Sequence, residues 1–247
     1  MTKQEIAIIS DIHGNSFALQ EVIHDIKSRG IETIINLGDS LYGPIDPKGT
    51  FELLQENNVI SISGNQDRII LENLSAKSDF ITIEYVKSQI DDRVIDWLKS
   101  LPFDMIYDDE IYCCHASPQS DFIYLLESLE IDNITIKSKN EIDRLLTDIK
   151  QRIVICGHSH VSKIVETDNK LIVNPGSVGL PAYDDDLPVY HKMENFNPRT
   201  NYVVLNYKHD SPKIERISLN YDFEKAASLA EVNKRDDWAK WIRTGQV

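Results

Sequence analysis

Several features that would place the chain in a specialised class of protein are missing from its sequence. No stretch of the 247 residues approaches the roughly 18 continuous apolar residues that a membrane-spanning helix needs. The first residues, MTKQEIAIIS, lead directly into an apolar segment and do not have the layout of a signal peptide. Internal repeats, low-complexity tracts and flexible linkers are also lacking. We therefore expect a single cytoplasmic domain over residues 1–247, with no membrane partner.

Cysteine is scarce. Cys113, Cys114 and Cys156 are odd in number, lie within apolar runs and have no CxxC spacing. This usage argues against a disulfide framework or a cysteine-based zinc site. We expect buried thiols in a reducing compartment.

Basic residues are few relative to acidic ones. The 26 lysines and arginines stand against 40 aspartates and glutamates, which gives a formal net charge of −14. A charge of that sign repels a polyanion, so binding of extended nucleic acid, and with it a nuclease function, is disfavoured. It does not argue against a small phosphorylated substrate, because bound metal ions can reverse the charge locally.

The first third of the sequence alternates short apolar segments with amphipathic ones. Strands are predicted at 6–9, 33–37 and 59–63, and helices at 16–29 and 47–57. The first of these strands is apolar throughout, as expected for a strand that is covered on both faces.

The remaining two thirds are less regular. We predict hairpins at 105–114, 161–173 and 202–221, a buried strand at 153–156, helical structure at 81–100, a helical insertion at about 120–150, and a C-terminal helix at about 223–244. The segment 181–200 is too rich in proline and asparagine to predict regular structure. Strands and helices from both halves predict an α/β fold with two packed sheets and helices outside them.

Side chains of the kind that bind metals follow the predicted strands. They are Asp11, His13, Asp39, Asn65, His115, His158 and His160. Functional sites of open α/β sheets assemble at the carboxyl ends of strands. Asp11 and His13 are two residues apart in an extended segment and so project to one side, as do His158 and His160. The mixture of carboxylate, amide and imidazole suits manganese, iron, nickel or zinc better than calcium or magnesium.

The motifs DIHGN, GDSLYGP, GNQD, GHSH and NPGS, with the single His115 among them, resemble the motif series of the calcineurin-like metallophosphoesterases over about residues 5–180. The resemblance implies a four-layer α/β/β/α sandwich of two mixed sheets. It also implies a hydrolase that cleaves phosphate esters or anhydrides with two transition-metal ions, whose spacing allows a bridging water to be activated for attack on phosphorus.

The same resemblance assigns roles to individual residues. Asp11, His13 and His160 would hold one metal, Asn65, His115 and His158 the other, and Asp39 would bridge them. The implied catalytic residues are Asp39, Asn65, Gln66 and His115.

Gln66 departs from the family pattern, which usually has histidine after Gly-Asn in the third motif. By resemblance that histidine protonates the leaving group, whereas an amide donates a hydrogen bond but no proton at neutral pH. Loss of general-acid help typically costs on the order of 10²–10⁴ in rate. We therefore expect a preference for leaving groups that are stable as anions: aryl esters, tolerable phosphodiesters, and phosphoanhydrides such as nucleotides or dinucleoside polyphosphates. The alternative is that Gln66 is tolerated variation, with another group or water supplying the proton.

Four further residues are candidates for substrate contact: Asn15, Arg68, Asn174 and Ser177. Arg68 can bind a phosphate bidentately, or it can pair with Asp67 at the surface. The loop 174–177 lies beside the metals by resemblance, and an ordinary turn is the alternative.

Tyr183, Tyr190 and His191 are candidates to line the cleft. Trp238 and Trp241 share one helical face, which favours docking onto the sandwich over dimerisation.

Other function classes remain open at this stage. Proteins of this fold can serve as non-catalytic interaction scaffolds, but such a protein is expected to have broken ligand positions, and all seven positions here carry suitable residue types. A phosphoprotein phosphatase is a further alternative to an enzyme of small phosphorylated molecules. The sequence does not determine the oligomeric state.

Overall fold

The computed structural model describes residues 5–75, 77–130, 133–208 and 211–247 of the chain. Most of the described strands belong to two five-stranded mixed sheets, and the others form two small two-stranded sheets. Across the described ranges, no helix combines the length and the apolar character that a membrane crossing requires.

The first sheet combines strands from both ends of the chain. Its strands are β1 (Glu5–Ile9), β2 (Thr33–Asn36), β3 (Ile60–Ser61), β13 (Thr200–Asn206) and β14 (Lys213–Leu219). Their order across the sheet is β14–β13–β1–β2–β3. The pairs β1–β2 and β2–β3 are parallel, so the carboxyl ends of the first three strands share one edge.

The second sheet is built from the middle of the chain. Its strands are β4 (Asp104–Tyr107), β5 (Ile111–Cys114), β8 (Ile153–Ile155), β9 (Lys163–Glu166) and β10 (Leu171–Asn174). Their order is β4–β5–β8–β10–β9, and β8 runs parallel to both β5 and β10.

The two sheets pack face to face. Ile6 and Ile8 of β1 join a buried cluster with Ile111 and Ile153 of the second sheet, while Ala7 and Ile9 belong to a cluster on the opposite face. Successive side chains of a strand point to opposite faces, so a strand buried on both sides must be apolar at every position. The continuous apolar run at 6–9 predicted a strand that is covered on both faces, and this prediction is confirmed.

The described residues form eight helices. They are α1 (Ser16–Ser28), α2 (Pro47–Glu56), α3 (Asn65–Glu72), α4 (Ile81–Gln89), α5 (Asp92–Ser100), α6 (Lys139–Leu145), α7 (Phe223–Val232) and α8 (Asp236–Thr244). Helices α1, α7 and α8 share a buried cluster with the outer face of the first sheet, and α6 packs on the second. The predicted four-layer α/β/β/α sandwich is confirmed, with a thin outer layer on the second sheet.

The helical insertion predicted at 120–150 is wrong in its first half. Among the described residues of this range, α6 is the helix, and the segment before it contains β6 (Glu127–Glu130), which pairs with β7 (Asn133–Ile136). Leu125 and Leu126 were expected to belong to a helix, but both lie in bends that precede β6 and are buried against the second sheet. Tertiary packing overrides the local pattern at this point.

Two other predictions at the C-terminal side need correction. The helix predicted at 223–244 is divided into α7 and α8, because Asn233 ends α7, donating its side-chain N–H to Pro44, and Lys234 takes a positive φ of 62°. The segment 181–200 contains a hairpin of β11 (Ala182–Asp185) and β12 (His191–Glu194). Its prolines and asparagines lie outside these two short strands.

Candidate metal centre

The seven ligand-type residues lie where strands of both sheets end. Asp11 and His13 follow β1, and Asp39 follows β2. Asn65 begins α3 after a short loop that follows β3, His115 follows β5, and the histidine pair His158 and His160 follows β8. The sandwich therefore brings together side chains that are up to 149 positions apart, since residue 11 and residue 160 belong to one cluster.

The backbone of this site is strained. Five of the seven residues have a positive φ, between 52° and 67°: Asp11, His13, Asp39, His158 and His160. This conformation is uncommon for residues other than glycine, and clusters of it persist only where the surrounding structure enforces them, typically at functional sites. The strain is thus an independent indication that these loops are built for function.

Two glycines allow the loops to approach one another. A Cβ at Gly64 would come within 2.1 Å of Asp39 Oδ1, and one at Gly157 within 2.0 Å of Ser10 Oγ. Any side chain there would push the ligand loops apart.

The first cluster consists of Asp11, His13 and His160, all buried. Their nearest ligand atoms lie within 4.8 Å of one another, and His160 Nε2 is 3.4 Å from Asp11 Oδ1. The other carboxylate oxygen of Asp11 accepts a hydrogen bond from the His158 N–H at 3.1 Å. Oδ1 has no hydrogen-bond partner among the described residues, although it is fully buried.

The hydrogen bonds of the two imidazoles identify their free nitrogens. His13 Nδ1 lies 2.9 Å from the Tyr42 carbonyl and His160 Nδ1 lies 2.7 Å from the Leu180 carbonyl, so each Nδ1 must carry the proton and donate. The two Nε2 atoms, left with lone pairs, face each other at 3.1 Å. Two lone pairs and an orphaned carboxylate oxygen directed at one point fit a cation. Donation of the remote N–H to a backbone carbonyl is also the usual arrangement of a metal-binding histidine.

The second cluster consists of Asp39, His115 and His158, again all buried. His115 donates from Nδ1 to the Leu37 carbonyl at 2.8 Å, and its Nε2 lies 3.0 Å from Asn65 Oδ1. His158 donates from Nε2 to the Phe122 carbonyl at 3.1 Å, which leaves Nδ1 as its free nitrogen. The amide oxygen of Asn65 and two imidazoles are again suitable ligands for a transition metal.

Asp39 connects the two clusters. Its Oδ1 accepts from the Gln66 N–H at 2.8 Å, while Oδ2 lies 3.9 Å from His13 Nε2 and 3.5 Å from His115 Nε2. One carboxylate oxygen thus lies between ligand atoms of both clusters.

Burial and mutual charge shift the pKa values of these groups strongly. Burial, with His160 nearby, lowers the pKa of His13 to about 4, and burial with His115 nearby lowers that of His158 to about 3. Burial also opposes charge on His115, but the adjacent Asp39 carboxylate prevails and raises its pKa to about 10. Burial would raise the pKa of Asp11, yet the histidines around it hold that pKa well below its usual range. The centre therefore keeps its carboxylates ionised in a buried space, which favours a cation between them.

Asp67 lies behind the ligands. Its carboxylate accepts from the Ser40 N–H and the Gly64 N–H, each at 3.0 Å, and so holds the second and third strand-end loops together. Burial, together with the nearby Asp39, raises the pKa of Asp67 to about 7. These contacts allow Asp67 to orient the backbone of both loops.

A cleft of about 170 Å³ opens above the two clusters. Its lining includes Gln66 and Asn65 on one side and Tyr183, from the β11–β12 hairpin, on another. The predicted position of Tyr183 in the cleft agrees with the structure, whereas Tyr190 and His191 lie outside the lining. The hydroxyl of Tyr183 donates to the His158 carbonyl at 3.0 Å, and its ring lies 4.5 Å from that of His160.

Three of the predicted substrate-contact residues bind the backbone of the loops instead of facing the cleft. Asn15 donates to the Gly179 carbonyl, Asn174 donates to Gly157, and Ser177 donates to the Asp11 carbonyl. All three side chains are buried. Instead of facing the cleft, they hold the ligand loops to one another.

The fourth predicted contact, Arg68, is also placed elsewhere. Its guanidinium pairs with Asp121 at 2.7 Å and with Glu72 at 2.9 Å, and not with Asp67 as the alternative proposed. The side chain is 44% exposed and lies outside the cleft lining.

Sequence reasoning missed the wall of the cleft that the C-terminal segment contributes. Arg235, Trp238 and Trp241 all line it. The ring of Trp238 packs edge-on against His13 at 5.7 Å, so the tryptophan pair docks at the metal centre itself. The position of the two tryptophans on one helical face predicted that the helix docks onto the sandwich, but it did not predict at which part of the sandwich.

Comparison with known proteins agrees with this fold. Residues 5–195 match the model of the calcineurin-like phosphoesterase superfamily domain. The chain is 29% identical, over a 262-residue alignment covering 96% of each, to an uncharacterized protein of Methanocaldococcus jannaschii. Among solved structures it is similar to a metallophosphoesterase from Sphaerobacter thermophilus (TM-score 0.75, 20% identity) and to a hypothetical protein from Pyrococcus horikoshii OT3 (TM-score 0.74, 18% identity), each alignment covering 98% of both chains.

The fold and the two His/Asp clusters define a metallophosphoesterase. The chain belongs to the calcineurin-like phosphoesterase superfamily.

Proposed function

We propose that the chain is a dinuclear-metal phosphoesterase that hydrolyses small phosphorylated molecules with good leaving groups. The observation that carries this proposal is the shared carboxylate of Asp39, whose Oδ2 lies 3.9 Å from His13 Nε2 and 3.5 Å from His115 Nε2. A single oxygen next to ligand atoms of both clusters suits a pair of cations a few ångströms apart.

In this proposal Asp11, His13 and His160 would hold one metal, Asn65, His115 and His158 would hold the other, and Asp39 would be a ligand of both. The residue types suit manganese, iron, zinc or nickel. Bound there, the metals supply Lewis-acid chemistry, polarising phosphoryl oxygens and making a water molecule acidic enough to act as nucleophile. Two divalent ions against the charges of Asp11 and Asp39 leave about two net positive charges, so the cleft attracts phosphate within an acidic protein.

Gln66 is the residue that selects the leaving group. It lines the cleft beside Asn65, and its amide can donate a hydrogen bond to a departing oxygen but cannot protonate it. Two nearby acidic groups are already engaged: Tyr183 donates its hydroxyl proton to the His158 carbonyl, and both oxygens of Asp67 accept from backbone N–H groups. The proposed substrates are therefore aryl esters, activated diesters and phosphoanhydrides, including nucleotides and dinucleoside polyphosphates.

A substrate panel with manganese tests this function. The set should include an aryl phosphate, an aryl phosphodiester, an alkyl phosphate, nucleotides, dinucleoside polyphosphates and a phosphoprotein. We expect metal-dependent turnover of the aryl and anhydride substrates, with alkyl phosphates on the order of 10²-fold slower or more.

The outcomes separate the parts of the proposal. Equal rates on aryl and alkyl phosphates would contradict the leaving-group preference alone. Absence of any turnover, together with no stoichiometric bound metal in the purified protein, would favour the scaffold class instead.

A further inference from the structure

One wall of the cleft comes from the C-terminal segment, beyond the region 5–195 that matches the family model. That wall contains Arg235, which directly precedes α8. The charged side chains that line the rest of the cleft, apart from the histidines, are Asp39, Asp184 and Asp185. Among the described lining residues, Arg235 is thus the permanent cation in a cleft that is otherwise acidic.

The guanidinium of Arg235 is held in a fixed orientation. Nε and Nη2 donate to the carboxylate of Asp237, at 2.8 and 2.6 Å, and Nη1 donates to Thr82 Oγ1. The planar group also lies over the ring of Trp238, 5.2 Å from its centroid. These bonds use three of the five N–H donors, and the Tyr42 hydroxyl also lies next to the guanidinium. The side chain is still 20% exposed, so the group remains accessible from the cleft. A donor that is already oriented loses little entropy when it binds a ligand.

Contacts place Arg235 and Gln66 on different sides of the centre. Arg235 lies over Trp238, whose ring packs edge-on against His13 of the first cluster. Gln66 directly follows Asn65, which contacts His115 of the second cluster. A substrate phosphoryl group between them would meet an amide at one side and a guanidinium at the other.

We propose that Arg235 is the residue that binds the phosphoryl group of the substrate and selects for a dianionic, terminal phosphate. This rests on the proposed function and narrows it, because monoesters and nucleotides carry such a terminal phosphate, whereas diesters and dinucleoside polyphosphates do not. A phosphomonoester or terminal nucleotide phosphate has three non-bridging oxygens and two negative charges, whereas a diester has two such oxygens and one charge. The extra oxygen and charge are what a fixed guanidinium binds through charge-assisted hydrogen bonds. Arg235 does not deliver a proton, so it leaves the leaving-group preference set by Gln66 unchanged.

The test compares Arg235→Gln with Arg243→Gln. Arg243 is a matched control because it belongs to α8, pairs with Glu224 and Glu231, and lies outside the cleft. Two readouts are needed: binding of orthophosphate to the manganese-loaded protein by calorimetry, and kcat and KM on an aryl phosphomonoester and an aryl phosphodiester.

For Arg235→Gln we expect orthophosphate to bind about tenfold or more weakly, and KM for the monoester to rise by a similar factor, as loss of a hydrogen bond to a charged group predicts. KM for the diester should change less than about threefold, because it lacks the third oxygen. Arg243→Gln should match the wild type in both readouts. Arg235→Lys, which keeps the charge but not the planar fork, should be intermediate.

Orthophosphate affinity of Arg235→Gln within twofold of wild type would overturn the proposal. So would an equal loss on monoester and diester, since that pattern indicates a purely structural role. If the wild type hydrolyses neither ester, the proposed function fails, but the orthophosphate measurement still decides whether Arg235 binds phosphate. If Arg235→Gln does not fold, Arg235→Lys provides the same comparison.

Discussion

The two clusters of the candidate metal centre differ in whether their ligand atoms find hydrogen-bond partners within the protein. In the first, the Nε2 lone pairs of His13 and His160 face each other at 3.1 Å, and Asp11 Oδ1 is buried without a partner among the described residues. In the second, His115 Nε2 lies within 3.0 Å of the Asn65 amide oxygen and 3.5 Å of Asp39. Contacts among its own ligands therefore partly satisfy the polar atoms of the second cluster. The facing polar atoms of the first cluster would be satisfied only by a bound cation.

The charges of the ligands also favour tighter metal binding at the first cluster. The first has a carboxylate of its own, Asp11, whereas the ligands of the second other than the shared Asp39 are imidazoles and an amide. Attraction for a divalent ion grows with the charge of its ligands, especially in a buried site. We therefore expect the first cluster to bind metal more tightly than the second, and the following variants test that difference.

The largest effect is expected for Asp39→Asn, which changes the residue common to both clusters. Activity should fall by about 10³-fold or more, because several kcal/mol of charge stabilisation are lost. The purified variant should also retain at most one metal ion per chain, measured by elemental analysis. Asp46→Asn, the same change at the N-cap of α2, should leave metal content and activity intact.

Asp11→Asn should remove the difference in metal affinity between the two clusters. Loss of the carboxylate next to His160 should weaken the tighter site by about 10²-fold or more, as expected when one member of a buried charged group is removed. Manganese titration followed by calorimetry would show two separate affinities in the wild type and a single weak class in the variant. Two equal affinities in the wild type would contradict the comparison.

Gln66→His alters the chemistry beside the second cluster without altering a ligand. We expect the rate on an alkyl phosphate to rise by about 10–100-fold, since an imidazole can protonate the leaving group, while the rate on an aryl phosphate stays nearly constant. The ratio of the two rates is the measurement. An unchanged alkyl rate would mean that another group already supplies the proton.

The smallest effect is expected for Ser177→Ala. The hydroxyl donates to the Asp11 carbonyl at 2.7 Å and accepts from the Leu180 N–H at 2.8 Å. Its removal leaves the buried Leu180 N–H without this partner, whereas the Asp11 carbonyl keeps the Gly179 N–H at 3.0 Å. The free energy of unfolding should fall by about 1–3 kcal/mol, and metal affinity by roughly tenfold. Ser28→Ala, an exposed serine at the end of α1, should change neither in a thermal-unfolding and metal-binding assay.

The metal centre could be predicted from the sequence because its information is local. His158 and His160 follow a buried strand and are two residues apart, and the sheet order then determines which loops meet. The sequence does not state the sheet order, but residue types at successive strand ends were sufficient to identify the set.

The lining of the cleft could not be predicted in the same way. Arg235 reaches the centre only because α8 docks beside His13, a contact between residues more than 200 positions apart. Asn15 and Ser177 have residue types that suit substrate contact, but their side chains turn toward backbone carbonyls of the loops. Which way a polar side chain points depends on the packed structure and leaves no trace in residue type or spacing.

The segment before β6 was mispredicted for a related reason. The run FIYLLESL at 122–129 has a helical apolar pattern, yet Tyr124 stacks on His158 with its ring centroid at 4.6 Å, and Leu125 and Leu126 are buried against the second sheet. Contacts to the site and to the sheet determine the non-helical conformation there.

Anomalous X-ray scattering from crystals of the manganese-loaded protein tests the central claim most directly. The account predicts two anomalous peaks about 3.5–4 Å apart, one among Asp11, His13 and His160 and one among Asn65, His115 and His158, with Asp39 next to both. A single peak, or peaks away from Asp39, would contradict it.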